Sequence, residues 1–358
     1  MSSLKNIKTR IRSVQTTRQI TATMKVAALA KLKKNYAKLS DATTYIDEMN
    51  RVVRRLIRAA LWFQQQENDY KKNDSSQLGL SPMFVGNGFD ERYIVIVVTS
   101  DDGLSGSANL QDLQKTKEVV DYLQSEQKDV TLVCFGTRGG EVLKRFYPNI
   151  SLHVMKRKAF SSTGTYVDGE RLTLDLIASF EAKRFDACIV VFNHFESMVT
   201  QSPTIEQLVP NRLFSDSNPW QFLIDTNPES YRRKNVLGED QLSIRHKSFF
   251  GHLGQKLTAP LTDVVGNDLK KIVRPVTAYD YDPKATDILQ QILPAYMVAY
   301  VNYILLESDV CDQAARLMAM DNATHNADEM LTNLTRTYQR TRQNKITTQT
   351  AELIRVEA

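Results

Sequence analysis

The sequence predicts a protein of mixed class, an α/β fold joined to a coiled coil. We expect a long antiparallel two-helix coiled coil from the N- and C-terminal segments, and a central open Rossmann-like α/β domain between them. Three observations predict this fold. Apolar residues recur in steps of three and four at both ends, short β-branched runs alternate with helical stretches in the middle, and no Pro or Gly interrupts residues 3–64.

The N-terminal segment, residues 1–64, is expected to form one helix. Its apolar residues make the narrow stripe that is typical of a coiled-coil seam. The stepping changes phase near Met24, which predicts a stutter that locally changes the supercoil without ending the helix. The stripe comprises Leu4, Ile7, Ile11 and Val14 before the shift, and Leu29, Leu32, Tyr36, Leu39, Ile46, Met49, Val53, Leu56 and Ala60 after it.

The C-terminal segment, residues 284–358, carries the same spacing, and Pro294 is expected to kink or loosen its first part. At the rise of an α-helix, about sixty residues span roughly 90 Å and about seventy span roughly 105 Å, more than the width of a compact domain. The two stripes are therefore expected to bury each other, with two amphipathic helices of an ordinary bundle as the alternative. The C-terminal stripe comprises Ile288, Ile292, Ala295, Ala299, Tyr303, Leu306 and Val310, followed by Leu317, Met320, Thr324, Ala327, Leu331, Leu334, Tyr338 and Thr341.

Residues 91–283 are expected to form the α/β domain, with an insertion of loops and short elements at about 211–272. A polar linker, residues 65–90, precedes the domain. The β-branched runs suit buried parallel strands with right-handed crossovers between them. The expected strands are Tyr93–Ser100, Val130–Phe135, Ser151–Met155 and Ala187–Asn193, and the expected helices are Ala108–Ser125, Gly140–Phe146 and Leu172–Arg184.

Charge is distributed unevenly along the chain. The formal net charge is +5, yet residues 1–40 hold ten Lys or Arg and no Asp or Glu, whereas residues 284–358 hold seven basic and nine acidic residues. The first and last helices should therefore attract each other modestly. The excess positive charge indicates a partner that is acidic: nucleic acid, an anionic lipid surface or acidic protein loops.

No catalytic, cofactor-binding or metal-binding residues are predicted. The glycine-containing loops Ser100–Ser107 and Gly136–Gly140 match neither dinucleotide nor P-loop patterns, and Asp101 and Asp102 would repel a phosphate. The three cysteines and five histidines are scattered, which favours buried thiols in a reducing compartment over a disulfide or zinc site. No run of eighteen uncharged apolar residues is present, and we expect neither a transmembrane segment nor a signal peptide.

Several segments resemble one known family. They are Leu4–Val14 and Thr17–Leu32 at the N-terminal end, Arg316–Ala327 and Tyr338–Gln343 followed by Ile346 and Thr347 at the C-terminal end, and Thr99–Asp101, Gly103, Leu104, Gly106 and Pro203–Leu208 in the middle. Together they are similar to the gamma subunit of F-type ATP synthases. Asp102 and Ser105 depart from the family's usual basic residue and cysteine. Residues 201–310 hold no cysteine, so the redox switch of plastid relatives is not expected.

The resemblance implies a non-catalytic central rotary stalk, which transmits torque between a proton-driven membrane ring and a catalytic hexamer. The implied partners are the alpha and beta subunits, a delta/epsilon-type stalk subunit and the membrane c-ring, with no nucleic acid. By family position, Met24 and Lys25 are expected to contact acidic loops of the beta subunits. Arg342, Gln343 and Thr347 are expected to contact the ring near the end of the shaft. The alternative for each is a seam or solvated residue.

The implied location is peripheral, on an energy-transducing membrane. This is the cytoplasmic face of a bacterial inner membrane or the matrix face of a mitochondrial one, and Met1 close to the first helix favours the bacterial case. Two other classes compete with the stalk: a basic coiled-coil nucleic-acid-binding or scaffolding protein, and a free α/β enzyme with helical arms. The first would explain the basic N-terminal segment, although Tyr36 is the only aromatic residue among residues 1–40.

Overall fold

A computed structural model of the chain describes residues 2–68, 81–157, 166–211 and 281–357. The described residues divide into two compact units. We call the first the shaft unit; it comprises Met1–Asn35, Leu104–Gly106 and Asp312–Ala358. We call the second the α/β unit; it comprises Tyr36–Gly103 and Ser107–Cys311.

Long helices at both ends flank shorter elements, as the spacing predicts. The helices are α1 (Ser2–Asn68), α2 (Pro82–Val85), α3 (Ala108–Ser125), α4 (Thr137–Phe146), α5 (Val167–Glu181) and α6 (Ala285–Glu357). The strands are β1 (Arg92–Val98), β2 (Asp129–Phe135), β3 (Ser151–Met155), β4 (Ala187–Phe195) and β5 (Gln201–Val209). Helix α6 is continuous through Pro294. Most of the expected insertion at 211–272 and much of the linker at 65–90 lie outside the described residues.

The α/β unit contains one sheet of order β3-β2-β1-β4-β5. Strands β1 to β4 are parallel, as predicted, and β5 pairs antiparallel with β4. Strand β5 was not predicted, and it contains Pro203. A proline is tolerated there because β5 lies at the edge of the sheet, where not every amide has a strand partner. The centre of the core consists of fully buried residues of adjacent strands, namely Val95, Val97, Leu132, Ile189 and Val191.

Helix α3 has the predicted bounds, but α4 begins at Thr137, before the predicted Gly140. The two glycines of its first turn meet close neighbours, which explains why a helix tolerates them. A β-carbon on Gly139 would lie 2.4 Å from Thr99 Oγ1, and one on Gly140 would lie 2.6 Å from a methyl group of Val154. These glycines therefore serve helix–sheet packing and do not mark a break.

The predicted phase shift near Met24 is wrong. Leu29 and Tyr36 are 47% and 53% exposed, whereas Ala28 is only 2% exposed. One heptad pattern without a phase shift accounts for these buried and half-buried positions of α1: Leu4, Ile7, Ile11, Val14, Thr21, Lys25, Ala28, Leu32, Asn35, Leu39, Ala42, Ile46, Met49, Val53, Leu56 and Ala60. Because several of these positions hold polar or small residues, a search for large apolar side chains missed the seam and followed a neighbouring face.

In α6 the stripe predicted from Leu317 onward is confirmed, since each of its residues is buried or half-buried. Upstream, the predicted stripe is incomplete: Ala295 is exposed, while Leu289, Leu293 and Met297 are buried. Between Val301 and Leu317 side chains are buried around most of the helix. A helix buried on all sides has no single stripe to detect.

Within the described residues, one helix, α6, is long and apolar enough to cross a membrane by length and composition. Five of its large apolar side chains are buried in the protein itself, namely Tyr296, Met297, Val301, Ile304 and Leu305. The core helix of a folded protein satisfies the same criterion, so this composition alone does not indicate a bilayer.

Contacts in the shaft unit show that α1 and α6 are antiparallel. Arg18 pairs with Asp328, Thr21 bonds to Thr324, and Lys25 pairs with Asp321. The residue numbers of the contacts rise along α1 and fall along α6, as they do in an antiparallel pair. Since two charge pairs and a hydroxyl pair lie among small apolar residues, the helices are joined by a polar seam as much as by an apolar one.

The first prediction tests this register with a disulfide. The hydroxyl oxygens of Thr21 and Thr324 lie 2.9 Å apart, so the two side chains face each other across the seam, as a disulfide requires. We expect Thr21→Cys with Thr324→Cys to form an intramolecular crosslink under mild oxidant, detected as a mobility shift that reductant reverses. Thr23→Cys with Thr324→Cys is the control, because Thr23 is exposed and bonds to Gln19 of its own helix. Equal crosslinking of both pairs, or of neither, would contradict the register.

Candidate partner interface

The predicted contact residues Met24 and Lys25 lie in the shaft unit, and both are half-buried. Lys25 occupies a heptad seam position, and its Nζ lies 2.6 Å from Asp321 Oδ1. Arg18, one heptad earlier, pairs in the same way with Asp328. Lys25 therefore contributes to joining the two helices, and its half-exposed side chain also reaches the surface.

Arg342, Gln343 and Thr347 lie close together on α6, and all three are exposed. The Thr347 hydroxyl donates to the Gln343 carbonyl at 3.0 Å, which leaves the Gln343 side chain out of that bond. Ile346, between them, is 52% exposed. This stretch presents a guanidinium, an amide and an aliphatic side chain together, which is a mixture typical of protein contacts.

The five predicted contact residues form two groups. Lys25 lies beside Asp321, about twenty residues along α6 from Arg342, a separation of roughly 30 Å on a helix. Any partner that contacts both groups must extend along the shaft, or two different partners are needed.

The shaft unit carries an exposed basic surface. Among the described residues of α1, ion pairs with α6 are formed by Arg18 and Lys25. Other cations of the unit are exposed to solvent, namely Lys5, Lys8, Arg10, Arg12, Lys31, Lys33 and Lys34 on α1 and Arg336, Arg340 and Arg342 on α6. Apolar side chains such as Ile20 and Val26 are exposed among them. The surface therefore suits an acidic partner with some apolar contact.

In the α/β unit, the carboxyl edge of the sheet is where open α/β folds bind ligands. Here protein groups occupy that edge. Arg157, just after β3, donates from Nη1 to the Thr99 carbonyl at 3.0 Å and from Nη2 to the Leu305 carbonyl of α6 at 2.9 Å. Its Nη2 also lies 2.9 Å from Asp309 Oδ1.

The two glycine-containing loops considered for phosphate binding are used internally. Asp101 Oδ1 accepts from the Thr137 amide at 2.9 Å, at the start of α4, and Oδ2 accepts from the Arg157 amide at 2.7 Å. A carboxylate of the chain thus takes an amide that a phosphate would use. This geometry favours the interpretation of these loops as structural turns.

The described residues show neither a metal-binding cluster nor an exposed thiol. The described residues contain no cluster of three or more His, Cys, Asp or Glu that could hold a metal ion. Cys134, Cys188 and Cys311 are buried free thiols. Burial raises the pKa of Cys134 to about 12 and raises the pKa of Cys188 as well, so both stay protonated and unreactive near neutral pH.

A second contact ties α6 to the end of β4, and the sequence did not reveal it. Glu307, only 2% exposed, accepts from the Phe195 amide at 3.2 Å and lies 2.6 Å from His194 Nδ1. The hydrogen bond to Glu307 raises the pKa of His194, and the charges of Glu307, Glu196 and Glu206 add to the effect, while partial burial opposes it. When protonated, the imidazole therefore contributes to holding β4 against α6.

The second prediction concerns pH. Because the pKa of His194 is raised in the folded chain, its contribution is fully present below the ordinary histidine value, about 6.5, and is lost as pH rises through the higher folded value. We expect the urea midpoint, followed by circular dichroism, to fall as the pH rises above the ordinary histidine value of about 6.5, and His194→Gln to flatten part of that fall. The exposed His153 supplies the control, His153→Gln, which should keep the wild-type slope. A wild-type slope in His194→Gln would refute the contact.

Comparison with known proteins agrees with this architecture. The sequence model of the family described as ATP synthase matches residues 3–355. The ATP synthase gamma chain of Gluconacetobacter diazotrophicus is 30% identical over 359 residues, covering 99% of this chain and 98% of the relative. That of Rhodospirillum rubrum is 28% identical over 354 residues, with the same coverage of 99% and 98%.

A solved structure shows the same fold. The match comes from the rotor of the Euglena gracilis mitochondrial ATP synthase in rotational state 1, with a TM-score of 0.53 and 14% identity, over 96% of this chain and 99% of that one. Since the family model and the relatives span nearly the whole sequence, the predicted resemblance is confirmed. The chain belongs to the ATP synthase gamma-chain family.

Proposed function

We propose that this chain is the central rotary stalk of a proton-translocating F-type ATP synthase. In this role it transmits torque between a membrane ring and a catalytic hexamer. The observation that carries the proposal is the antiparallel α1–α6 pair of the shaft unit, whose contacts are narrow and partly polar. A stalk that turns inside a ring needs internal cohesion but few deep, interlocking contacts on its outside.

The proposal assigns catalysis to other subunits. The carboxyl edge of the sheet, the ligand-binding place in related α/β folds, holds Arg157 and α6 in this chain. The loop amide at Thr137 is taken by Asp101. Both features support a structural use of the α/β unit.

The proposed partners are the alpha and beta subunits, a delta/epsilon-type stalk subunit and the c-ring. One solved relative, with TM-score 0.54, comes from a Euglena gracilis assembly described as OSCP, F1 and c-ring. The exposed cations of the shaft unit suit acidic loops of the beta subunits. Exposed ion pairs contribute only about 0–1 kcal/mol each, so charge guides a turning shaft without locking it. This accounts for the basic surface without nucleic acid.

The proposed location follows from the partners. The chain would sit peripherally on an energy-transducing membrane, on the cytoplasmic face of a bacterial inner membrane or the matrix face of a mitochondrial one. Tyr296, Met297, Val301, Ile304 and Leu305 of α6 are buried within the protein, which supports a peripheral position.

For the contact residues we propose different roles at the two places. Met24 and Lys25 would meet the beta-subunit loops beside Asp321, with Lys25 shared between the seam and the partner. Arg342 and Gln343 would bind the ring, a contact that we call the grip. Thr347 would stabilise this turn of the helix through the hydrogen bond from its hydroxyl to the Gln343 carbonyl. A guanidinium can make paired, charge-assisted hydrogen bonds that lysine cannot reproduce.

The third prediction tests this grip in the assembled complex. Loss of one charge-assisted hydrogen bond costs about 1.5–3 kcal/mol, which corresponds to roughly a tenfold or larger fall in rate if the bond forms in the transition state. We therefore expect Arg342→Ala with Gln343→Ala to lower ATP turnover about tenfold while subunit ratios stay normal. Arg342→Lys should restore only part of the loss.

Two controls separate the grip from other effects. Arg336→Ala with Gln339→Ala removes the same side-chain types from exposed positions of α6. Because an exposed ion pair contributes only about 0–1 kcal/mol, this variant should lower turnover clearly less than the Arg342/Gln343 variant. Leu331→Asp should instead damage assembly, because it places an unpaired charge in the half-buried seam. Full turnover in the Arg342/Gln343 double variant would remove the grip and leave a shaft that acts by shape alone.

A further inference from the structure

Arg157 connects three parts of the α/β unit that are distant in sequence. Its own backbone is fixed by Asp101, its Nη1 bonds the carbonyl of Thr99 after β1, and its Nη2 bonds the Leu305 carbonyl of α6. The side chain is only 6% exposed, and Asp309 of α6 balances its charge at 2.9 Å. The guanidinium therefore lies between the sheet and the helix.

Burying this charge pair costs free energy, which suggests that the pair fixes geometry more than it adds stability. Burying a charge pair is often no more stabilising than filling the space with apolar side chains, and Arg157 Nε has no hydrogen-bond partner among the described residues. What a buried, forked guanidinium adds over apolar packing is fixed geometry, because hydrogen bonds are directional and apolar contacts are not.

Neighbouring residues at the start of α5 contact the same stretch of α6. The Tyr166 hydroxyl donates to Asp309, and the Tyr166 amide donates to Asn302 Oδ1 at 2.8 Å. Gly169 of α5 packs so close that a β-carbon there would lie 2.8 Å from a methyl of Leu305. Residues 302–309 of α6 are thus held both by Tyr166 and Gly169 at the start of α5 and by Arg157, and the Asp309 carboxylate accepts from Tyr166 and pairs with Arg157.

We infer that Arg157 is a positioning residue that fixes α6 to the sheet against twisting, so that torque applied to the α/β unit reaches α6 without slack. The inference rests on the proposed rotary function. Turning α6 about its axis moves the Leu305 carbonyl and the Asp309 carboxylate away from the guanidinium together, so both bonds oppose the same motion. Apolar contacts of similar area would allow more sliding.

The test measures angular fluctuation in the assembled complex. The alpha–beta hexamer is fixed to a surface, and a bead is attached to the α/β unit through Gln124→Cys, an exposed position near the end of α3. The width of the bead's angular distribution during an ATP-waiting pause reports torsional stiffness. We expect Arg157→Ala to increase the angular variance at least about twofold, Arg157→Lys to fall between it and wild type, and Asp309→Asn to resemble Arg157→Lys.

Arg92→Ala is the matched control. Arg92 likewise pairs with a carboxylate at 2.9 Å, that of buried Asp186, although Arg92 itself is 38% exposed, and this pair lies at the amino edge of the sheet. It should lower the stability of the unit without changing the angular variance. A structural role alone would make the Arg92 and Arg157 variants alike, whereas a positioning role separates them.

Each outcome decides the inference. Wild-type variance in assembled Arg157→Ala, or equal broadening in Arg92→Ala, would overturn it. If Arg157→Ala does not assemble, Arg157→Lys and Asp309→Asn carry the test, and unchanged variance in both would overturn it as well. Failure of the proposed function would look different, because the wild-type bead would then not turn when ATP is added.

Discussion

The packing of α6 against the carboxyl edge of the sheet is the constraint on which the α/β unit depends. Arg157 and Glu307 join the helix to the ends of β3 and β4. Tyr166, just before α5, donates from its amide to Asn302 of the same helix. In open α/β folds this edge is free for a ligand. In this chain α6 lies at that edge, so the α/β unit holds a helix where related folds bind a nucleotide. The reuse fits the principle that function belongs to sites and not to folds.

The shaft unit follows a different rule, in which small and polar residues replace a deep apolar seam. Thr21, Lys25 and Ala28 occupy consecutive seam positions of α1, and two of them bond to α6 by polar groups. Such a seam specifies the register through its pairs while contributing little bulk. The same narrowness leaves the outside of the helices lined with cations, so its contacts with an acidic partner remain individually weak. Cohesion inside and weak contact outside are both expected of a part that turns.

Elements that are encoded by local sequence patterns were predicted correctly. The four parallel strands and α3 lie where β-branched runs and helical spacing predict them. Strand β5 was missed; it contains Pro203, which is tolerated at the edge of the sheet, and a single sequence does not show which strand lies at an edge. The phase error in α1 arose because Lys25 and Thr21 do not look like seam residues until Asp321 and Thr324 are beside them. Arg157 and His194 bond to residues far along the chain, and no spacing rule signals such pairs. The five contact residues came from family resemblance.

We propose that this chain turns within the catalytic ring, and direct observation of rotation tests that claim most simply. The wild-type chain would be assembled with alpha and beta subunits held on a surface, with a fluorescent rod on an exposed residue of the α/β unit. On addition of ATP we expect stepwise rotation in one direction, which stops when ATP is removed. Normal ATP hydrolysis with a rod that stays fixed, in complexes of correct subunit ratio, would contradict the claim.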